Sequence, residues 1–257
     1  MGYGDTLMAM GEARALHKRT KQPVMIVGRD GRPIRSDLFD GIPYIIQKPS
    51  KSGPFQRLVN GPGVRPYIAG KTDERWTWRP YKPQPAELKF TERELEFAEK
   101  YRDMIMVEPS VKSVGHSNKA WSAINWQQLD SAIWSAGLRL GRLVQCGPSS
   151  THWLLHATKA PTDSFRQALA VLSVCRAFIG TEGGLMHGAA AVGVPGIILW
   201  SEFISPEITG YDMHRNLRHA GKPCGMRVDC PSCRESMYKI TVPEVIANLK
   251  EVLSASQ

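Results

Sequence analysis

The sequence predicts an α/β protein built on a mostly parallel sheet, and three observations carry that prediction. Apolar runs of strand length alternate with segments of helical period along the second half of the chain. The densest glycine turn, Gly180 to Gly184, lies between such a run and an alanine-rich stretch. Finally, 257 residues that are 42% apolar and 22% charged suffice to bury the core of one large domain or two small ones.

Taken in order, Asp5 to His17 reads as a helix, with Leu7, Met8, Met10, Ala13 and Leu16 able to share a face. Pro23 to Gly28 is a short buried strand. Between Arg29 and Pro85 the chain is rich in Gly, Pro, Arg and Lys, and only brief strands near Tyr44–Ile46 and Tyr67–Ala69 are predicted. Thr91 and Glu94 have the spacing of a capping box, each side chain satisfying a free amide of the first turn, and open a helix ending near Tyr101.

The second half is more regular. Strands are expected at Met104–Glu108, Arg142–Gln145, Trp153–His156, Ala177–Gly180 and Gly196–Trp200. Helices are expected at Trp126–Ala136, Asp163–Cys175, Gly183–Val192 and Pro243–Leu253, the last with proline where no amide is needed. A domain boundary is placed near residue 102, giving units 1–102 and 103–257.

Composition bounds the function. The longest apolar-looking run, Ala189 to Trp200, is broken by Gly193, Pro195 and Gly196, so no membrane-spanning helix is predicted. The first residues lack a signal-peptide pattern, and five cysteines fit reduced thiols, so a cytoplasmic location is expected. A net charge of +9 points to an anionic partner: nucleic acid, a phosphorylated lipid surface or a nucleotide.

The segment Ala177 to Trp200 reads as strand, glycine turn, small-residue helix, strand. Gly183 and Gly184 let a ligand approach the backbone, and a helix N-terminus offers unpaired amides to phosphate. A plain connection with glycine for packing is the bland alternative. The segment resembles the donor-binding signature of glycosyltransferase family 9, the lipopolysaccharide heptosyltransferase family. Two further segments resemble that family in the same order: Gly2-Tyr-Gly-Asp-Thr-Leu-Met8, and Glu108-Pro109-Ser-Val-Lys112 followed by Asn118-Lys119-Ala-Trp121.

The resemblance implies a GT-B fold, two Rossmann-like domains facing a central cleft, here with the N-terminal one reduced. Met1 directly precedes Gly2, where relatives have a buried strand. That arrangement, with Leu7 where a third glycine belongs, excludes a dinucleotide fingerprint. The implied activity is inverting, metal-independent transfer from a nucleotide sugar, UDP-glucose or ADP-heptose. By match to the family, Asp5 is the base and Lys119 neutralises the leaving phosphate. Lys112, Thr181, Glu182, Gly183, Gly184, Leu185, Met186 and His187 form the donor site, and Gly4 belongs to the acceptor side. Each has a structural alternative: Asp5 as an N-cap, Lys119 as a solvated lysine. Glu182 stands where relatives have aspartate, one methylene shorter.

Arg75-Trp-Thr-Trp-Arg-Pro-Tyr-Lys82 interleaves aromatics and cations, so Arg75, Trp76, Trp78, Arg79 and Lys82 are candidate contacts to a polyanionic acceptor. A hydroxymethylated pyrimidine in DNA, as in phage genome modification, is favoured at this point over lipopolysaccharide core. A non-catalytic nucleotide or nucleic-acid binding protein is the third reading. Cys224, Cys230 and Cys233, with His214 and His219 upstream, are a candidate structural zinc site, with free thiols or a disulfide as alternatives. Cys146 and Cys175 are expected in the core.

Overall fold

The computed structural model describes residues 2–49, 53–60, 64–110, 117–137, 140–148, 153–219 and 221–255. Helix α1 (Tyr3–Thr20) leads to strand β1 (Val24–Val27), which pairs in parallel with β2 (Gln56–Val59). Strands β3 (Ile68–Lys71) and β4 (Trp76–Trp78) form an antiparallel hairpin. Helix α2 (Glu92–Glu99) starts with the expected capping box: the Glu94 amide donates to the Thr91 hydroxyl at 3.3 Å, and the Thr91 amide to the Glu94 carboxylate at 2.7 Å.

Strand β5 (Ile105–Glu108) and helix α3 (Ala123–Ala136) are followed by β6 (Leu143–Gly147), β7 (Thr158–Pro161) and α4 (Phe165–Ser173). Then come β8 (Ala177–Thr181), α5 (Gly184–Val192), β9 (Gly196–Trp200) and the short α6 (Pro206–Thr209). Strand β10 (Arg215–Arg218) and helices α7 (Pro231–Tyr238) and α8 (Val242–Ala255) complete the chain. The sheet order is β10-β9-β8-β5-β6-β7, and every pairing is parallel. This doubly covered sheet is the α/β architecture expected from the alternation of elements.

The two-residue period of a strand explains how one sheet builds two cores. Met106, Val144, Phe178, Ile198 and Trp200 face α4, α5 and, beyond them, α1. Their neighbours Ile105, Val107, Leu143, Ala177, Ile179, Ile197 and Leu199 face the layer of α3 and α8. Leu7, Met10 and Ala13 of α1 and Val24 and Ile26 of β1 belong to the first core, so apolar packing runs without a break from the N-terminal elements to the six-stranded sheet.

Two expectations change. Trp153–His156 is not a strand, because its amides find side chains instead of a ladder: Leu154 donates to Gln145 Oε1 and His156 to Asp130 Oδ2. The edge strand is β7, a few residues later. Near Tyr44–Ile46 only a single bridge forms, between Val24 and Ile45. Strands β2, β4 and β10 and helices α6 and α7 carried no sequence signal strong enough to predict them.

A buried arginine ties the halves together. Arg166, on α4, is 6% exposed and grips Glu94 through Nε at 2.6 Å and Nη2 at 3.1 Å. It also donates to the carbonyls of Asp37, at 2.9 Å, and Lys89. Replacing it with alanine leaves the Glu94 carboxylate with only its Thr91 donors, the Asp37 carbonyl with only the Asp40 amide, and the Lys89 carbonyl without the arginine's donor. Arg166→Ala is expected to cost about 3–5 kcal/mol, read as a lowered urea midpoint with an unchanged slope.

Candidate functional site

Ligands of open α/β sheets sit beyond the carboxyl ends of the strands, and here a cleft of about 660 Å³ opens at the ends of β5 and β8. The N-termini of α1 and α5 and the β3–β4 hairpin form its other walls. A second recess of about 320 Å³ shares Tyr3, Glu108, Phe165 and Leu185 with it. Tyr3 and Phe165 are stacked at 4.2 Å between ring centroids where the two meet.

Glycine brings the two helices together at this cleft. A Cβ on Gly4 would lie 2.9 Å from the His187 ring and 3.6 Å from the Gly184 Cα; one on Gly184 would lie 3.2 Å from Phe165. Neither helix is capped by a side chain: Gly2 caps α1 and Gly183 caps α5. Their first-turn amides are therefore free of side-chain caps, and the positive ends of both dipoles converge on the cleft. Gly183 has extended backbone, with φ 173°, so its smallness serves approach and not torsional freedom.

Asp5 lies in the first turn of α1 and is not its N-cap, which corrects one alternative from the sequence. Its carboxylate turns into the cleft instead. Oδ1 accepts from the Tyr67 hydroxyl at 2.7 Å, and Oδ2 pairs with Arg65 Nη2 at 2.8 Å. The carboxylate is 10% exposed. Burial, and the Asp5 charge after it, raise the Tyr67 phenol well above its ordinary range, so Tyr67 stays a donor. Arg65 Nε and the Trp76 indole N–H are buried beside this pair and have no hydrogen-bond partner among the described residues.

Across the cleft, Lys119 forms an ion pair with Glu182. Its ammonium also sits 4.7 Å from the centre of the Phe203 ring. Lys119 is thus held in place, 18% exposed, and is not a solvated surface lysine. A lysine has three donors, so two remain after Glu182 takes one.

His187, in the first turn of α5, is buried, with Nδ1 3.0 Å from the Tyr211 hydroxyl. Burial draws its pKa down to about 4, against the opposing charges of Glu182 and Asp5, so it is neutral at physiological pH. His214 is likewise drawn down to about 4 by burial, with Nε2 facing the Met186 carbonyl at 3.3 Å. Glu108, at the end of β5, is pushed up to about 7 by burial while accepting from the Ser110 amide at 2.8 Å.

Of the residues singled out in the sequence, Gly4, Asp5, Trp76, Trp78, Lys119, Thr181, Glu182, Gly183, Gly184, Leu185 and His187 all line this one cleft. Met186 is buried beneath it. Lys112 lies outside the described residues. The aromatic–cation segment is not the open platform expected of it. Trp78 donates to the Phe203 carbonyl and packs edge-on against its ring, while Arg65, Lys71 and Arg227 crowd Trp76 within 5.6 Å. Lys82 is paired with Asp212 at 2.5 Å; Arg75 and Arg79 are exposed. Arg65, Tyr67, Glu108 and Phe203 were missed, because single residues in irregular segments or at strand ends carry no pattern.

The three cysteines do come together: Cys224 Sγ lies 3.9 Å from Cys230 and 3.4 Å from Cys233. The histidines do not join them, since His214 faces Met186 and His219 binds Glu244 at 2.9 Å. Cys146 and Cys175 are buried, as expected.

Comparison with known proteins supplies the remaining findings. The pattern of glycosyltransferase family 9 (heptosyltransferase) matches residues 80–224. Among solved structures, the ADP-heptose lipopolysaccharide heptosyltransferase II of E. coli is 20% identical with a TM-score of 0.51, covering 66% of this chain. This chain spans only about half of that enzyme, 54%. The iron-containing dodecameric glycosyltransferase TibC of enterotoxigenic E. coli H10407 is 14% identical with a TM-score of 0.65, over 100% of this chain and 75% of its own. A family 9 glycosyl transferase from Veillonella parvula DSM 2008 is 11% identical with the same TM-score, over 99% of this chain and 95% of its own. At these identities the likeness shows the fold, which is GT-B. No curated protein matches the sequence.

The two buried imidazoles make acid stability a test of the site. Both are neutral when folded and regain ordinary values near 6.5 when unfolded, so the unfolded chain binds more protons between pH 6.5 and 4. Each imidazole is expected to withdraw about 3 kcal/mol of stability as pH drops from 6.5 toward 4, while Glu108, raised to about 7, adds stability as pH falls through the same range and opposes them. Urea midpoints at pH 7 and pH 4.5, compared between wild type and His214→Asn, isolate the imidazole contribution: the variant should lose less stability, or gain more, on acidification than wild type.

Proposed function

The chain belongs to glycosyltransferase family 9, the heptosyltransferase family, and from that premise we propose that it is an inverting glycosyltransferase using a nucleotide-sugar donor. The observation that carries the reading is a single cleft holding an anchored carboxylate, Asp5, an anchored cation, Lys119, and the uncapped N-terminus of α5. Residues 1–102 serve the acceptor side and residues 103–257 the donor side.

In this reading the donor diphosphate lies on the amides of Gly183, Gly184 and Leu185, with Lys119 against its charge. The nucleoside occupies the recess behind Tyr3 and Phe165. The Asp5 carboxylate takes the proton of an acceptor hydroxyl, and that oxygen bonds to the anomeric carbon as the bond from that carbon to the phosphate oxygen breaks. The nucleoside diphosphate leaves with the bonding electrons, and Asp5 returns its proton to solvent. Tyr67 and Arg65 fix the carboxylate for in-line attack, while the free Trp76 N–H and Arg65 Nε are donors for an acceptor oxygen. Among the described residues no cysteine lines the cleft.

ADP-heptose is the donor we favour, because TibC has been solved with ADP-D-β-D-heptose and another relative is an ADP-heptose enzyme. For the acceptor, the crowded faces of Trp76 and the engaged edge of Trp78 leave little room for stacked bases. A sugar hydroxyl of a phosphorylated lipopolysaccharide core suits this wall better than a hydroxymethylpyrimidine of DNA. No helix of the described residues is long and apolar enough to cross a membrane, so such an acceptor would be met at a surface.

The test pairs ADP-heptose and UDP-glucose with truncated lipopolysaccharide core and with duplex DNA containing 5-hydroxymethylcytosine, read by intact mass. A gain of one heptose on the core supports the reading. A gain of one hexose on the DNA alone would overturn the acceptor and the donor together, and no gain with any pair would return the chain to a binding role. Asp5→Asn is expected to lower kcat at least 100-fold while donor Kd, by calorimetry, stays within a few-fold. Lys119→Ala should weaken both kcat and donor binding.

A further inference from the structure

The cysteine cluster does more than sit beside the cleft; it closes a loop that touches both of its walls. Cys224 begins the loop, and Cys230 and Cys233 lie at the cap and in the first turn of α7. All three sulfurs lie within 4.8 Å of one another. A tetrahedral ion with metal–sulfur bonds of about 2.3 Å sets its thiolates roughly 3.8 Å apart. The observed 3.9 Å and 3.4 Å bracket that separation. The Met226 amide also donates to Cys224 Sγ at 3.4 Å. Cys224 is half-buried, so water can reach a fourth position.

From residue 224 to residue 230 the loop is fastened on two sides. Toward the hairpin, the Trp76 amide donates to the Gly225 carbonyl at 2.9 Å and the Arg227 amide to the Glu74 carbonyl at 2.7 Å. Gly225 is required there: its φ is +65°, and a Cβ would fall 1.8 Å from the Trp76 carbonyl oxygen. Toward the donor side, Asn118, 2% exposed, donates to the carbonyls of Met226 and Val228 at 2.8 and 2.7 Å. Its Oδ1 accepts the Cys230 amide at 2.9 Å. The next residue is Lys119.

We propose that Cys224, Cys230 and Cys233 bind a thiophilic divalent cation such as zinc, and that the closed loop is a clasp holding the Trp76 strand and, through Asn118, the active-site lysine. Binding exchanges the three thiol protons for the metal and leaves water as the fourth ligand. Asn118 is a positioning residue that acts through Lys119. The role of the clasp in catalysis rests on the transfer reading; the metal site and the fastening do not.

The experiment uses Co²⁺ as the probe. The protein, stripped with a chelator and titrated with Co²⁺, is expected to take up about one equivalent, with thiolate-to-cobalt charge-transfer absorption that Cys230→Ser loses. Hydrogen exchange at the Trp76 and Cys230 amides should speed up at least tenfold on stripping and slow again with Zn²⁺. Absence of the charge-transfer band, or its persistence in the serine variant, overturns the site; unchanged exchange overturns the clasp. Stripping is done on the wild-type chain, so a misfolded Cys230→Ser protein would not spare the proposal. Asn118→Ala should keep the cobalt spectrum while kcat falls and the donor KM rises several-fold, the same pair of changes expected for Lys119→Ala, and an unchanged kcat and KM overturn the link to Lys119. The spectrum and the exchange rates need no transferase activity, so they stand or fall apart from the transfer reading.

Discussion

The contact between the N-terminal ends of α1 and α5 is the constraint on which the rest of the site depends. It exists because Gly4 and Gly184 have no side chains where the helices meet, and the His187 ring fills the space a Cβ on Gly4 would need. Once the helices approach this closely, their uncapped first turns face one cleft, and Asp5, one residue after Gly4, is carried to its wall. Two positive helix ends pointing at one volume favour an anion there. Packing and ligand chemistry thus have a common cause in two glycines.

Within that cleft the charges are fixed in pairs, Asp5 with Arg65 and Lys119 with Glu182. The guanidinium and the phenol hold the oxygens of the Asp5 carboxylate in one orientation, and a bond-forming step gains from such fixed geometry. Lys119 is in a like position, with one donor spent on Glu182 and its ammonium over the Phe203 ring. Glu182 reaches the ammonium and holds it.

Among the described residues, the N-terminal hundred have only two two-stranded pieces of sheet. Their stability comes from elsewhere. They share an apolar core with the six-stranded sheet, Arg166 binds their carbonyls and the α2 cap from α4, and the loop from Cys224 to Cys230 hydrogen-bonds the β3–β4 hairpin. Buried polar groups need partners wherever they come from, and in an irregular segment those partners are mostly distant in sequence.

That distinction separates what was legible from what was not. The central strands β5, β8 and β9, helices α3 to α5 and the capping box at Thr91 were written in the sequence, because a buried strand, an amphipathic helix and a cap are decided by residues within one or two turns of each other. One wall of the cleft was legible too, since Thr181 to His187 is one contiguous turn and helix. Arg65, Tyr67 and Phe203 were not, because each reaches the cleft only through a contact that spans scores of residues. The sequence also left the Asp5 and Lys119 alternatives open, and it offered histidine ligands that the fold sends elsewhere, His214 to a carbonyl and His219 to Glu244. By itself, then, the chain determined its local elements and the glycine turn that lines the cleft. Which charges pair across the cleft, and which loop fastens it, only the tertiary structure decided, because long-range pairing depends on three-dimensional proximity that no local pattern encodes.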